Sequence, residues 1–157
     1  MFWAGIIGNT LIGPVRVPEG VKLTSQAYIS FLDEYLSPWL DDLPLLRRQQ
    51  LNFMHDNTPS HASKATTSFL ATPGIKERTL MTWPPCSPDL NPIEQLWSIL
   101  KRNVYTDGRQ FTSKDDLWKK IIDAANTITP DQIHKLASSV DNRLIRVLSR
   151  NGSYVDK

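Results

Sequence analysis

The order of secondary-structure signals between residues 51 and 83 restricts the fold more than any other feature of the sequence. Residues 51–55 have the pattern of a short buried strand, and Thr58-Pro59 then opens a helix with Thr as its cap and Pro at its first position. That helix is expected to run to about Ala71, and residues 78–83 are expected to form another short strand. A strand, a helix and a strand in succession predict a parallel pair with a right-handed crossover.

A hairpin is predicted at the start of the chain. Residues 1–7 and 10–17 have strand character, and Gly8-Asn9 between them is a turn signal. Gly13-Pro14 in the second strand predicts a bulge or a position at the edge of the sheet. The parallel and antiparallel strands together predict a mixed sheet.

Several amphipathic segments predict helices around this sheet. Apolar residues recur at helical spacing from Tyr28 to Trp39, and Pro38 and Pro44 mark the end region of that helix. Polar residues that can cap a helix precede the expected helices: Thr24 or Ser25, Asn91, Ser113 and Thr129. No shift in composition marks a domain boundary. The sequence therefore predicts one α/β (α+β mixed) domain over residues 1–157.

Composition and charge limit the possible functions only mildly. No apolar run approaches the ~20 residues of a membrane span, and the apolar start lacks the basic leader of a signal peptide. Cys86 is the single cysteine, so an internal disulfide cannot form. Residues 61–157 hold 14 basic and 10 acidic side chains, and this mild basic bias permits contact with nucleic acid without requiring it.

Asp56 is the first candidate for chemistry. It stands where a core strand is expected to end and a helix to begin, which is where ligands collect in open α/β sheets. A carboxylate at that point is well placed to bind a hard cation. The alternative is structural, because Asp56-Asn57 is also a common turn pair.

Glu94 is the second candidate. It follows the proline-rich loop of residues 83–92 and lies in the first turn of the helix after Asn91. On a helical wheel Glu94 falls at the rim of the apolar face, from which a carboxylate can point toward the sheet. The alternative is again structural, since Glu94 could complete a capping box with Asn91.

The two segments together resemble a known family. His-Asp-Asn-x-Pro-x-His at residues 55–61 and Ser-Pro-Asp-Leu-Asn-Pro-Ile-Glu-x-Leu-Trp at residues 87–97 are similar to the second and third acidic blocks of mariner-superfamily DDE transposases. The similarity extends from the opening hairpin through Lys101-Arg102 and is loose over the last 50 residues. The resemblance implies that Asp56 is the second catalytic acid and Glu94 the third.

The family's fold and chemistry follow as expectations. The resemblance implies a ribonuclease-H-like mixed sheet flanked by helices, in which acidic residues hold two Mg²⁺ (or Mn²⁺) ions. It implies DNA strand cleavage and transfer in DNA transposition or integration, with DNA as partner, a possible homo-oligomer and a nuclear location. We expect Asp56 and Glu94 to approach each other closely enough to share an ion.

The sequence departs from the family pattern at its start. The first acid of the family stands on a strand before the hairpin, whereas no Asp or Glu precedes Glu19 here. We therefore expect a partial domain that lacks its first central strand and is inactive alone. The alternative function is a domesticated, non-catalytic module that binds nucleic acid or protein.

Basic residues supply candidate DNA contacts. His61 and Lys64 follow the second acidic block, Lys101 and Arg102 follow the third, and Arg143 and Arg146 form a basic stripe on the last helix with Arg150. Each of these residues has a structural alternative as part of a solvated surface. His55, His61 and Cys86 suggest zinc more weakly, because a fourth ligand at suitable spacing is missing.

Overall fold

The computed structural model describes residues 1–48, 50–71, 87–106, 108 and 110–150. In chain order these residues form β1 (Phe2–Ile7), β2 (Thr10–Arg16), α1 (Ser25–Tyr35), α2 (Ser37–Asp41), α3 (Leu45–Arg48), α4 (Lys64–Leu70), α5 (Pro92–Val104), α6 (Lys114–Asn126) and α7 (Pro130–Ser149). The chain divides into two compact units. The hairpin unit consists of Met1–Pro18 and Ser87–Lys157, and the Asp56 unit is the intervening stretch Glu19–Cys86.

β1 and β2 form the predicted antiparallel hairpin. Their register shifts between Trp3 and Gly5, where β2 contributes an additional residue. Gly13 lies in this irregular stretch with φ of 85°, and a Cβ there would lie 3.1 Å from both Trp3 O and Val15 N. The bulge predicted from Gly13-Pro14 is therefore confirmed, and glycine fits it because other residues would meet backbone atoms.

The core of the hairpin unit lies where its three helices pack together. Leu96 is fully buried at 0% exposure, and its neighbours in the apolar cluster are Leu100, Val104, Ile121, Ala124, Ala125, Ile128, Ile133 and Leu136. The hairpin closes one side of this cluster through Phe2, whose ring stands edge-on to Trp97 at 5.1 Å between centroids. A second contact, with Trp118 at 6.2 Å, joins the same ring to α6. One phenylalanine thus connects β1 to two helices.

Side-chain caps fix the starts of these helices, as the sequence predicts. Ser113 Oγ accepts a hydrogen bond from Asp116 N at 3.0 Å at the start of α6. At the start of α7, Thr129 and Gln132 form the complete reciprocal capping box. The helices therefore begin where their polar residues satisfy the free backbone N–H groups.

The Asp56 unit is built on α1. Thr24 caps this helix by accepting from Ala27 N at 3.2 Å. Tyr28 and Leu32 are its buried residues, and α1 packs against α4. The helix ends before Pro38, which lies in the first turn of α2. This agrees with the predicted end, because proline lacks the N–H that would continue the helix.

Two local expectations for the Asp56 unit are wrong. The helix expected from Pro59 begins instead at Lys64, because Thr58 O accepts from the N–H groups of His61 and Ala62 in a separate turn and Ser63 then caps α4 in an extended conformation. Residues 51–55 belong to no strand ladder within the described residues. The expected strand at residues 78–83 lies outside the described residues.

The described part of the chain therefore combines helices with a small two-stranded antiparallel sheet. The expected mixed α/β class is confirmed. No helix among the described residues is both long and apolar enough to cross a membrane. The prediction of a single domain stays a prediction.

Candidate metal and DNA site

Asp56 makes the turn that precedes α4, and its carboxylate has two partners. Asp56 Oδ1 accepts a hydrogen bond from Thr58 N at 3.1 Å and lies 2.5 Å from His61 Nδ1. The first contact forms an Asx turn, in which an Asp side chain accepts a hydrogen bond from the backbone N–H two residues later. The structural and functional interpretations of Asp56 are therefore compatible, because the side chain makes the turn and is still 49% exposed.

The surroundings of Asp56 favour its ionised form. Partial burial on its own raises the pKa of this carboxyl, but the hydrogen bonds from Thr58 and the charge and hydrogen bond of His61 outweigh that effect. The net result is a pKa of Asp56 below its usual value. An ionised, half-exposed carboxylate has the form that a hard cation requires.

An aromatic cluster holds His61 in place. The rings of His55 and His61 stack at 5.3 Å with 4° between their planes, and the Tyr28 ring lies 4.0 Å from His61. Tyr28 is only 2% exposed, and burial followed by the charge of Asp56 raises its pKa. Burial, reinforced by the charge of His61, lowers the pKa of His55 to about 4, so His55 is neutral at pH 7. His61 is thus fixed by neutral rings and turns its Nδ1 to Asp56.

Thr66 completes the support of this turn, and the sequence analysis missed it. The side chain is 0% exposed; its hydroxyl donates to Ser60 O at 2.7 Å and accepts from Ser63 Oγ at 2.9 Å. Ser63 Oγ in turn caps α4 by accepting from Thr66 N at 3.1 Å. The signal that could have revealed this helix start is Ser63, because serine is a preferred N-cap residue.

Glu94 lies in the first turn of α5 and is exposed. The cap of this helix is Asn91, whose Oδ1 accepts from Ile93 N at 3.2 Å. Asn91 N donates to Pro88 O at 3.1 Å, so the backbone group that a capping box would give to Glu94 already has a partner. The described residues offer the Glu94 carboxylate no hydrogen bond or ion pair, which leaves it available to a ligand.

The predicted stripe of arginines on α7 does not form as expected. Arg143 is buried, at 6% exposure, whereas Arg146 is exposed. Arg143 Nη1 donates to Asp89 O and Nη2 to Gln95 Oε1, each at 2.8 Å, and Nη2 also bonds the hydroxyl of Ser139. The sequence contains a signal for the burial of Arg143, because residue 143 follows Leu136 by two helical turns and lies on the same buried face.

The other candidate DNA contacts lie on exposed surfaces of the two units. Lys64 is exposed at the start of α4, and Lys101 and Arg102 are exposed in the last turn of α5. His61 differs from these residues because it is partly buried and bonded to Asp56. Their contact with DNA stays a prediction.

No group of three or more His, Cys, Asp or Glu side chains able to hold a metal occurs among the described residues. Asp56 belongs to one unit and Glu94 to the other. Their approach to a shared ion stays a prediction. Cys86, part of the weaker zinc hypothesis, lies outside the described residues.

Comparison with known proteins defines the class. Residues 21–118 match the family model of the DDE superfamily endonucleases, and the chain belongs to this family. It is similar to the Tc3 transposase of Caenorhabditis elegans, with 33% identity over 135 residues that cover 86% of this chain and 39% of that protein. It is also similar to the Tc1 transposase of the same organism, with 32% identity over 152 residues that cover 97% and 52%. The chain thus spans about half the length of these relatives or less.

Solved structures confirm the fold. The chain superposes on the catalytic domain of the Mos1 mariner transposase with a TM-score of 0.79 and 17% identity, covering 99% of this chain and 82% of that one. A structure of the same catalytic domain with raltegravir and Mn gives a TM-score of 0.80 at 18% identity, covering 99% and 83%. A related structure contains Mg. The fold is therefore the ribonuclease-H-like fold of transposase catalytic domains, as expected.

Proposed function

We propose that this chain contributes Asp56 and Glu94, as ligands of a divalent metal, to a transposase DDE domain that cleaves and transfers DNA strands. The observation that carries the proposal is the state of Asp56, whose carboxylate is held ionised by its turn and by His61 while half of it remains open to solvent. Family membership supports this reading, as does the similarity to a catalytic domain solved with Mg and with Mn.

The donor atoms suit Mg²⁺ or Mn²⁺. Both side chains offer carboxylate oxygens, the ligands that hard cations prefer. Thr58 and His61 orient Asp56, and the first turn of α5 carries Glu94. When bound, such ions supply an activated nucleophilic oxygen and stabilise the leaving oxygen. Residues 1–157 provide two of the three acids that the resemblance implies, so we expect a polypeptide of these residues alone to lack strand-cleavage activity.

DNA is the proposed substrate and partner. Lys64, Lys101, Arg102 and Arg146 are exposed and can neutralise phosphates. Since such contacts depend on counterion release, binding should weaken as salt rises. A homo-oligomer and a nuclear location belong to the same proposal, and light scattering and imaging of a fluorescent fusion test them.

Paramagnetic broadening of NMR signals by Mn²⁺ tests the metal site. In the 157-residue chain we expect Mn²⁺ to broaden the backbone signals of Asp56 and Glu94 selectively, and we expect Asp56→Asn and Glu94→Gln to weaken that effect. Asp131→Asn is the matched control, because Asp131 is an exposed acid in the first turn of α7.

Equal broadening at Asp131 and at the two candidate ligands would contradict the metal site. If salt-sensitive DNA binding persisted in that case, the chain would instead be a non-catalytic nucleic-acid-binding module. The two functions therefore predict different results from the same protein sample.

A further inference from the structure

Arg143 is a buried arginine whose hydrogen bonds surround the start of α5. Arginine is rarely buried unless its guanidinium is paired. Here Arg143, from the middle of α7, donates to Asp89 O before the helix and to Gln95 Oε1 inside it, each at 2.8 Å. The residue lies beyond the 21–118 stretch that matches the family model.

The two acceptors lie on either side of Glu94 in the sequence. Asp89 belongs to a turn in which Leu90 N donates to Ser87 O at 3.3 Å and Asn91 N donates to Pro88 O at 3.1 Å. Gln95 directly follows Glu94 in the first turns of α5. Because the guanidinium is a rigid planar fork, binding both acceptors fixes the turn and the helix relative to each other.

Arg143 can affect Glu94 only through the backbone of α5 and of the turn before it, because its hydrogen bonds go to Asp89 and Gln95. Asn91 caps α5 through Ile93 N, but a cap alone leaves the preceding turn free to shift against the helix. A metal ligand has to be held within ~0.5 Å of its working position by the residues around it. Glu94 lacks a bonding partner of its own among the described residues, so its orientation depends on the helix that carries it.

We infer that Arg143 is a positioning residue for Glu94, fixing the first turn of α5 so that the carboxylate is presented to a divalent cation. The inference rests on the proposed function of Glu94 as a metal ligand. Arg143 itself does not contact the cation; it acts through the Asp89 carbonyl and the Gln95 amide.

The first measurement is amide hydrogen exchange in the 157-residue chain with Arg143→Met, which removes the guanidinium and keeps an unbranched side chain. We expect exchange at Leu90, Asn91 and Ile93 to accelerate roughly tenfold or more, because a charge-assisted hydrogen bond is lost. The matched control is Lys135→Met, which removes an exposed basic side chain from the same helix. Amides in the middle of α6 should change by less than about twofold in both variants.

The second measurement is the Mn²⁺ concentration at which paramagnetic broadening halves the intensity of the Glu94 backbone signal. Arg143→Met should raise this concentration several-fold, whereas Lys135→Met should leave it unchanged. Arg143→Lys keeps the positive charge but lacks the planar guanidinium. It should restore amide protection at Leu90 and Asn91 more fully than it restores the Mn²⁺ broadening of the Glu94 signal. A positioning role predicts this separation, whereas a role in packing alone does not.

The results distinguish failure of this inference from failure of the proposed function. If Arg143→Met matches Lys135→Met in both measurements, or accelerates exchange equally throughout α6, Arg143 does not position Glu94. Full recovery of the Mn²⁺ response by Arg143→Lys would also overturn the inference. If Glu94→Gln leaves the Mn²⁺ response intact, the metal-ligand role of Glu94 fails, whatever exchange shows for Arg143.

Discussion

Replacing Thr66 by valine should destabilise the Asp56 unit more than its small chemical change suggests. Valine has nearly the same shape, so packing is retained while the hydroxyl is lost. That hydroxyl donates to Ser60 O at 2.7 Å and accepts from Ser63 Oγ at 2.9 Å, and its residue is fully buried. A buried polar group left without a partner costs about 1–3 kcal/mol. Because Ser60 and Ser63 are partly exposed, we expect a total near the middle of that range, about 2 kcal/mol.

Two further variants isolate the contribution of the hydroxyl. Thr66→Ser keeps both hydrogen bonds and loses one buried methyl, which should cost about 1 kcal/mol. Thr67→Val makes the same chemical change at the next position, where the side chain is exposed and donates to Ser63 O at 3.1 Å. That substitution should stay within about 0.5 kcal/mol of the parent.

Native-state hydrogen exchange of the amides in α4 is the suitable assay, because it reports the opening of this unit separately from the hairpin unit. Thr66→Val should lower protection there by roughly 30-fold, which corresponds to about 2 kcal/mol at 1.4 kcal/mol per tenfold change. The reasoning fails if Thr66→Val proves no more damaging than Thr67→Val. It also fails if Thr66→Ser is as destabilising as Thr66→Val, since the lost energy would then come from packing.

Three further predictions concern the core, the carboxylate and the activity. Leu96→Ala should cost about 2–5 kcal/mol in urea unfolding because Leu96 is fully buried, and a loss below about 1 kcal/mol would contradict the described core. His61→Phe should raise the pKa of the Asp56 carboxyl, because it removes a charge and a hydrogen bond that lower this pKa. The titration can be followed by ¹³C NMR, and an unchanged pKa would refute the prediction. The stability that ionised Asp56 contributes is present above its unfolded pKa and is lost as the pH falls through the folded value, so His61→Phe should reduce this acid-sensitive part. A polypeptide of residues 1–157 should not nick supercoiled DNA in Mg²⁺ or Mn²⁺, and nicking that disappears in both Asp56→Ala and Glu94→Ala would overturn the expectation.

Local sequence signals predicted much of the fold correctly. The hairpin follows from Gly8-Asn9, and its irregular register follows from Gly13-Pro14. The starts of α5 and α7 follow from Asn91 and Thr129, whose side chains satisfy nearby N–H groups. These features depend on interactions within a few residues, so the sequence contains what is needed to infer them.

Features that depend on distant partners were harder to predict. Arg143 bonds residues 54 and 48 positions away, and spacing along α7 alone suggested a surface stripe. The start of α4 depends on Ser63 and on Thr66 bonding back to Ser60, which a capping pattern at Thr58-Pro59 obscured. The structure shows Asp56 and Glu94 each within its own turn, whereas their approach to a shared metal ion remains a prediction from the family resemblance.

The discontinuous hairpin unit has a consequence for synthesis on the ribosome. Its two strands are complete by Pro18, but the helix that packs against Phe2 ends only at Val104. At about 5–20 residues per second, the nascent hairpin waits roughly 4–17 s for that helix. The whole Asp56 unit, Glu19–Cys86, is translated during this delay. Throughout this interval α5, which packs against Phe2 of the hairpin, is not yet available to cover it.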